Sequence, residues 1–333
     1  MEVWMGWLQL ALVIVVAGML GGALASALAS GRWMDRLKTV APRPRFVLLG
    51  ALVLLPVATA VVAVAVAFAP STLDALGLVR DHCAHHGGHA FHLCFVHGHP
   101  PELSPLVLGG AIAMFIWLAA VWSDEFGRLR QVRDWSRRLG PLARFDAEID
   151  CWTLATDRPL AVTVGLVDPK VYVSGAMREF LSEPQLRAVV AHEEAHARRF
   201  DSLVKFLLGL CAPFHLPPVR ERLVEELDLA CEQACDEAAA EAVGDRLAVA
   251  EALLAVERAY ASDGAGGSDE VPSSALSFGT GALDRRVRGM LDEGWSSPNW
   301  LLIGGSAVVA LSAIGVSYEV LHHTAETLLS KLF

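Results

Sequence analysis

The sequence predicts a mostly α-helical membrane protein, with four transmembrane helices and one small α+β domain that carries a candidate metal site. Its 333 residues are 54% hydrophobic and their mean hydropathy is +0.43, well above the average of soluble domains. The apolar excess is concentrated in four runs, each close to the ~20 residues that cross a bilayer as a helix. A His-Glu-x-x-His motif lies between the third run and the fourth.

The four apolar runs predict the domain organisation. They cover about 3–29, 46–69, 105–122 and 300–318, with Trp or Tyr near their ends, as is typical of helices that meet a membrane interface. The first run is not typical of a signal peptide, because Met1-Glu2-Val3 has no basic residue and the apolar stretch is too long. We therefore expect three transmembrane helices in 1–124, a water-exposed domain over 125–298, and a fourth helix with a short tail in 299–333.

Basic residues predict the orientation of these helices. The loop between the first two runs contains Arg32, Arg36, Lys38, Arg43 and Arg45, and the segment after the third run contains Arg128, Arg130, Arg133, Arg137 and Arg138. By contrast, the 70–104 loop has only Arg80, and the tail after Tyr318 has only Lys331. Because cytoplasmic loops carry an excess of Lys and Arg, the two chain ends and the 70–104 loop are predicted outside. The 125–298 domain is then cytosolic.

The His-Glu-x-x-His motif runs from His192 to His196 and is predicted to lie on a helix. Ser182 and Gln185 have the spacing of a capping box, and Pro184 is tolerated in the first turn. Apolar residues then continue without a helix breaker to the motif. Since residues i and i+4 share one helix face, the two histidines could grip one metal ion.

Glu193 gives this histidine pair the pattern of a zinc peptidase. It lies one position round the helix from His192, where its carboxylate can reach a metal-bound water. In zinc peptidases two imidazoles of such a motif hold Zn²⁺ and the glutamate acts as general base. The alternative is a solvated helix face on which two histidines occur at this spacing without a metal.

A second predicted helix, over 219–243, offers a third ligand. Catalytic zinc takes three protein ligands and keeps one open position. Glu232 is a candidate ligand, and Asp236, one turn later on the same face, could orient a ligating histidine. Asp228 lies on that face too, so the spacing leaves Asp228 and Glu232 both open.

The remaining patterns predict further elements of the domain. They are an amphipathic helix over 125–145, strands over 160–165 and 170–174, an apolar segment over 203–218 that is too short to span a bilayer, an exposed loop over 261–282 and a helix over 283–293. His215, in the apolar segment, is expected to be structural. Cys231 and Cys235 are expected to be small buried residues rather than ligands.

The predicted outer loop, 70–104, is rich in metal-binding side chains. It holds seven of the twelve histidines and two cysteines: His82, Cys83, His85, His86, His89, His92, Cys94, His97 and His99. Imidazole and thiolate are ligands for transition metals, so we expect weak metal binding at several sites. A disulfide between Cys83 and Cys94, a pH-responsive loop and a merely solvated loop are the alternatives.

Three stretches of the chain resemble the membrane metallopeptidases of the BlaR/MecR type, the antirepressor signal transducers of bacterial beta-lactam resistance. These stretches are 164–175, 192–201 and 232–237. The predicted elements of about 105–295 also follow one another in the same order as in these proteins. It implies a zincin-like (gluzincin) protease domain on the cytosolic side of a bacterial inner membrane. Such proteins cleave themselves or a cytoplasmic repressor when a signal arrives, so the implied partners are a protein substrate, such as a transcriptional repressor, and the lipid bilayer.

The resemblance also assigns roles to single residues. It implies that one catalytic Zn²⁺ is bound by His192, His196 and Glu232, which favours Glu232 over Asp228. Glu193 is then the general base, and Asp236 orients a ligand. The beta-lactam sensors carry a penicillin-binding domain after the last span, whereas a short tail follows Tyr318 here, so beta-lactam sensing is not expected.

Two other functions compete with signal-regulated proteolysis. HtpX-type membrane proteases, which degrade damaged membrane proteins, share both motifs and are the first alternative. A non-proteolytic metal receptor or transporter built on the outer histidines is the second. Against a transporter, no predicted span contains an ionisable residue, which an ion pathway usually needs. No nucleic-acid motif occurs, so direct nucleic-acid binding is not expected.

Overall fold

The structure, a computed structural model, describes residues 2–78, 104–262 and 280–300 apart from 293 and 299, together with the isolated positions 312 and 324. This part of the chain is mostly helical and contains one small mixed sheet. The fourth predicted span, 300–318, lies almost entirely outside the described residues.

Among the residues that the structure describes, three helices are long and apolar enough to cross a membrane, which indicates a membrane protein. They are α1 (Glu2–Ala29), α3 (Pro42–Ala75) and α4 (Pro105–Leu139), with a short α2 (Arg32–Leu37) between the first two. The amphipathic helix expected over 125–145 is not separate, because α4 continues from its apolar part to Leu139 without a break. No proline or glycine pair interrupts the junction near Trp122, so helical hydrogen bonding simply carries on.

Helices α1 and α3 approach each other closely at two glycines of α1. A Cβ atom added to Gly18 would lie 2.7 Å from the Cα of Ala60, and one added to Gly22 would lie 2.6 Å from the Cα of Pro56. Both distances are well inside van der Waals contact. The two glycines are four residues apart and face α3, which is the small-residue spacing that lets membrane helices pack backbone to backbone.

The sheet contains four short strands. They are β1 (Ala143–Asp146), β2 (Cys151–Leu154), β3 (Ala161–Val164) and β4 (Lys170–Ser174), in the spatial order β1-β2-β4-β3. The β2–β4 pair is parallel and the other two pairs are antiparallel. Strands β3 and β4 were predicted, and the turn between them needs Gly165, whose φ of +126° would strain any other residue. Because β3 is the last strand in the spatial order, it is an edge strand of the sheet. It lies beside the candidate site.

In the described part of the α+β domain, six helices accompany the sheet. They are α5 (Gly175–Phe180), α6 (Glu183–Arg199), α7 (Asp201–Cys211), α8 (Pro217–Val243), α9 (Arg246–Ser262) and α10 (Thr280–Leu291). The main core joins the sheet to α6, α8 and α9, with Val173, Met177 and Ala239 fully buried. Helix α8 ends at Gly244, which takes the left-handed conformation with φ of 76°.

A second core joins this domain directly to the membrane helices. Leu49 and Val53 of α3 pack against Leu208 of α7 and against Leu223 and Leu227 of α8. The same helix α3 that packs on α1 therefore also supports the two helices that flank the candidate site.

Candidate metal centre

Helix α6 carries the His-Glu-x-x-His motif, and its sequence explains its bounds. Ser182 and Gln185 form the predicted capping box, with the Gln185 side chain accepting from the Ser182 backbone N–H at 3.0 Å. The helix ends at Phe200, a left-handed residue with φ of 53° and ψ of 40°. Leu186 and Val190 bury one face in the core, and this fixes the direction in which the two histidines point.

Three side chains converge to form a group that could hold a metal ion. The Nε2 atoms of His192 and His196 are 3.2 Å apart. The carboxylate of Glu232, from α8, approaches both rings: Oε2 lies 3.5 Å from His192 Nε2, and Oε1 lies 3.6 Å from His196 Nε2. The donor atoms of all three residues lie within 4.8 Å of one another. The structure thus brings together the three residues that were predicted to be ligands.

The competing candidate, Asp228, has a different partner. Its carboxylate oxygen lies 3.2 Å from the ammonium nitrogen of Lys205, on α7. The same ammonium lies 3.6 Å from Glu232 Oε1. Asp228, one helical turn before Glu232 in α8, is therefore paired with Lys205. It does not belong to the group formed by His192, His196 and Glu232.

Asp236 and Arg286 support the His192 side of the centre. Asp236 Oδ1 lies 3.0 Å from the outer nitrogen, Nδ1, of His192. Arg286, from α10, donates two hydrogen bonds of 2.8 and 2.7 Å to Asp236, and its third nitrogen lies 3.2 Å from Glu232 Oε2. Both side chains are almost fully buried. The guanidinium thus joins the predicted orienting residue to the predicted third ligand.

Asp201 supports the His196 side in the same way. Its Oδ2 atom lies 2.8 Å from Nδ1 of His196, and its Oδ1 atom lies 3.3 Å from Nε of Arg199. Cys235 touches the same place, with Sγ 3.4 Å from His196 Nδ1 and 3.4 Å from Asp201 Oδ2. His196, Asp201 and Cys235 could themselves hold a cation, but Arg199 already places a positive charge beside Asp201.

The two cysteines of α8 are buried, as expected. Cys231 and Cys235 are both completely inaccessible. Cys235 nevertheless contacts His196 and Asp201, so it lies directly beside the candidate ligands. The i,i+4 spacing predicts which residues share a face of α8. It does not predict how α8 is rotated about its axis relative to α6, so it could not show that Cys235 contacts His196.

Glu193 is held by the edge strand of the sheet. Thr163 of β3 directs its hydroxyl at Glu193, with Oγ1 2.8 Å from Oε2 and 2.7 Å from the carbonyl oxygen. The glutamate lines the same cavity as His192, His196 and Glu232. Its carboxylate is thus positioned beside the convergent group without belonging to it.

The electrostatics of the group favour a positive charge at its centre. Burial opposes a charge on His196, but Glu232 and Asp201 outweigh burial and raise the pKa of this imidazole well above its ordinary value. Burial would raise the pKa of Glu232, yet His196 and Arg286 hold the pKa of this carboxyl well below its usual range. The carboxylate is therefore ionised and available as a ligand.

The centre lies in a cavity of about 780 Å³. Its polar lining includes His192, His196, Glu232, Glu193 and Arg286. Its apolar lining includes Val53 of α3, Val121 of α4 and Pro213, which follows α7. The cavity therefore extends from the candidate metal centre to residues of the long apolar helices.

Four side chains around the centre were not predicted: Thr163, Asp201, Lys205 and Arg286. Asp201 follows the left-handed residue Phe200, where the helical period that located the histidines ends. Arg286 is fifty positions beyond Asp236, and nothing in local spacing connects the two. The nine His and Cys residues of the outer loop lie outside the described residues.

No family model, no curated protein sequence and no solved structure matches this chain.

Proposed function

We propose that this protein is an integral membrane zinc endopeptidase whose centre is formed by α6 and α8. The observation that carries the proposal is the convergence of His192, His196 and Glu232 beside Glu193. Two imidazoles and one carboxylate are a ligand set with which catalytic zinc keeps one position open. Carboxylates on the outer nitrogens of both histidines are likewise typical of zinc-bound imidazoles.

The side chains of the centre have separate roles in peptide hydrolysis. His192, His196 and Glu232 would hold the zinc, which would supply a Lewis acid for acidifying water and polarising the scissile carbonyl. Glu193 accepts a proton from the attacking water and delivers it to the leaving amine. Thr163 positions the Glu193 carboxylate through the 2.8 Å contact with Oε2. Asp236 and Asp201 orient His192 and His196.

The distribution of basic residues supports a cytosolic centre, and the four apolar runs support four spans. The resemblance to BlaR/MecR-type proteins implies that the membrane is a bacterial inner membrane. With this orientation, the substrates are cytosolic proteins or the cytosolic segments of membrane proteins. The resemblance to BlaR/MecR-type proteins favours signal-regulated cleavage of a transcriptional repressor. The protein's own 262–282 segment is a further candidate substrate.

One observation favours a second function, the quality control of membrane proteins. The cavity wall includes Val53, Val121 and Pro213, at the level of the membrane helices. A cavity that continues to this level can receive a segment that emerges from the bilayer. HtpX-type proteases act on such substrates.

The test compares new protein N-termini in cells that carry the wild type, Glu193→Gln or Glu194→Gln. Loss of a general base costs about 10²–10⁴-fold in rate, so Glu193→Gln removes the cuts. Glu194 is the matched control, because its carboxylate pairs with the exposed side chain of Arg198 instead of facing the centre. We expect a few cuts in a DNA-binding regulator, present with Glu194→Gln and absent with Glu193→Gln.

Other outcomes separate the alternatives. Glu193-dependent cuts across many membrane proteins support quality control instead of signalling. Identical N-termini in all three strains, with zinc bound to the purified proteins, contradict the peptidase and favour a metal receptor. Absence of zinc from the purified wild type contradicts the metal centre itself.

A further inference from the structure

Residues 201–216 form a segment, here called the α7 hairpin, that begins beside the metal centre and leads to α8. Helix α7 begins at Asp201, beside His196, and ends at Cys211. A short 3₁₀ turn, Ala212–Phe214, follows it before α8 begins at Pro217. The tip of the hairpin is residues 207–216, which comprise the end of α7, the turn and the residues before α8.

The tip contacts α4 at the level of two tryptophans. The indole nitrogen of Trp122 donates to the carbonyl oxygen of Leu210 at 3.1 Å. The rings of Trp117 and Phe214 meet edge to face, with centroids 6.4 Å apart. Both tryptophans belong to the apolar part of α4, which is long enough to cross a membrane.

His215 attaches the tip to the other two apolar helices. Its Nε2–H donates to the carbonyl oxygen of Val53, in α3, at 3.0 Å. Its Nδ1 lies 2.8 Å from the hydroxyl oxygen of Ser26, in α1, and the same hydroxyl donates to the carbonyl oxygen of Ala23. Both ring nitrogens thus face polar atoms of the protein, as a polar side chain in hydrocarbon requires.

These contacts place the tip beside the apolar parts of α3 and α4, away from the charged ends of these helices. Trp117 comes seven residues before Asp124 in α4, and Val53 comes eight residues after Arg45 in α3. At 1.5 Å of rise per residue, each contact is about 10–12 Å from the charged position. The chain from Phe206 to Val219 contains no Asp, Glu, Lys or Arg.

The hairpin also has large apolar side chains that the protein leaves uncovered. Leu207 is 51% exposed and Leu216 is 52% exposed, although each lies next to residues packed on α3 or α4. Large apolar side chains are exposed in the same way on the apolar helices, for example Leu20 and Leu24 of α1. A hydrophobic segment of this length is too short to cross a bilayer but long enough to enter one leaflet.

We propose that the tip of the α7 hairpin is a re-entrant membrane segment. Its Leu207 and Leu216 side chains contact lipid acyl chains in the leaflet next to the α+β domain. The hairpin thereby attaches the helix that begins at Asp201 to the bilayer. This inference is independent of whether the centre is a peptidase, because it depends only on the contacts and exposure of the hairpin.

Nitroxide labels on single accessible cysteines test the proposal in the full-length protein reconstituted in phospholipid nanodiscs. The labels are placed at Leu207→Cys and Leu216→Cys, with Cys83, Cys94 and Cys211 replaced by serine. The native cysteines that remain, Cys151, Cys231 and Cys235, are buried and so inaccessible to the labelling reagent. Relaxation by oxygen, which partitions into lipid, is compared with relaxation by a water-soluble nickel chelate. Leu20→Cys on α1 is the lipid benchmark, and Val167→Cys, at an 80% exposed position of the β3–β4 turn, is the water benchmark.

We expect oxygen to relax the labels at 207 and 216 more strongly than the chelate does, as at position 20, and the reverse at position 167. Greater relaxation by the chelate at both hairpin positions would overturn the proposal, because it means that the tip is in water. Immobilised labels that neither reagent reaches would also overturn it, because they mean that protein covers the tip. Dipolar broadening between labels then identifies a second copy as the cover.

Discussion

At the residue scale, Arg286 is the side chain on which the buried charges of the centre depend. Its guanidinium donates twice to Asp236 and also approaches Glu232, and it is only 1% exposed. Asp236 is completely buried. A buried carboxylate that loses its partner keeps the cost of desolvation without the compensating attraction.

Arg286→Ala should therefore lower the free energy of unfolding by about 3–5 kcal/mol, the cost of breaking a buried ion pair. The matched control is Arg288→Ala on the same helix, whose partner Asp284 is exposed, and it should cost less than about 1 kcal/mol. Thermal unfolding of the purified metal-free proteins in detergent measures the difference. Equal melting temperatures for the two variants would mean that Arg286 does not hold the centre together.

Sequence reasoning located the residues of the centre that lie on regular helices. His192 and His196 share a face because they are four apart, and the same rule offered Glu232 together with Asp228. The rule could not exclude Asp228, because the choice depends on Lys205 of α7. It could not find Arg286 or Asp201 either, since each arrives from another element through tertiary packing.

At the element scale, the close contact between α1 and α3 supports the whole domain. Helix α3 packs on α1 through Gly18 and Gly22 and on α8 through Leu49 and Val53. A change in the α1–α3 distance is therefore transmitted to the helix that carries Glu232.

Gly18→Leu should disrupt this contact, because a Cβ there would already be 2.7 Å from the Cα of Ala60. Overpacking of this kind costs typically about 1–3 kcal/mol, and the backbone of α3 can yield only by moving. Gly21→Leu is the control, since no atom lies within 4 Å of a Cβ at that position. We expect a lower melting temperature for Gly18→Leu alone, and an equal loss in both variants would contradict the packing.

Element boundaries were predictable where a local signal marks them. The capping box at Ser182 and the glycine at position 244 mark α6 and α8. Strands β1 and β2 were not predicted, because neither has the run of small apolar and β-branched residues that marks β3. The sequence predicted two elements where the structure has the single helix α4, because the composition changes from apolar to charged residues near Trp122. Such a change alters the surroundings of a helix but does not interrupt its backbone hydrogen bonds.

At the scale of the whole molecule, the centre is assembled from parts that are distant in sequence and held against the membrane helices. The segment before the last apolar run is tied to the start of α3: Ala41 N–H donates to Ser296 O at 2.9 Å, and Ser296 N–H donates to Thr39 O at 2.8 Å. Gln233 of α8 contacts Arg45 of α3 and donates to the carbonyl oxygen of Arg285 at 2.8 Å. The position of α10, and hence of Arg286, thus depends on α3.

Composition alone indicated a membrane protein, and three apolar helices agree with it. The way in which the domain rests on these helices was not predictable, because it depends on contacts between residues more than 150 positions apart, such as Val53 and His215. The expected orientation, the fourth span and metal binding by the outer loop stay predictions.

The central claim is that α6 and α8 form a zinc centre that hydrolyses peptide bonds. The most direct test measures zinc by mass spectrometry, together with the hydrolysis of a denatured protein, for the purified wild type, Glu193→Gln and His196→Ala. Differences between these proteins report on the centre whatever the outer loop binds. We expect one more zinc per chain in the wild type and in Glu193→Gln than in His196→Ala, and hydrolysis by the wild type alone. Equal zinc in all three proteins, or undiminished hydrolysis by Glu193→Gln, would contradict it.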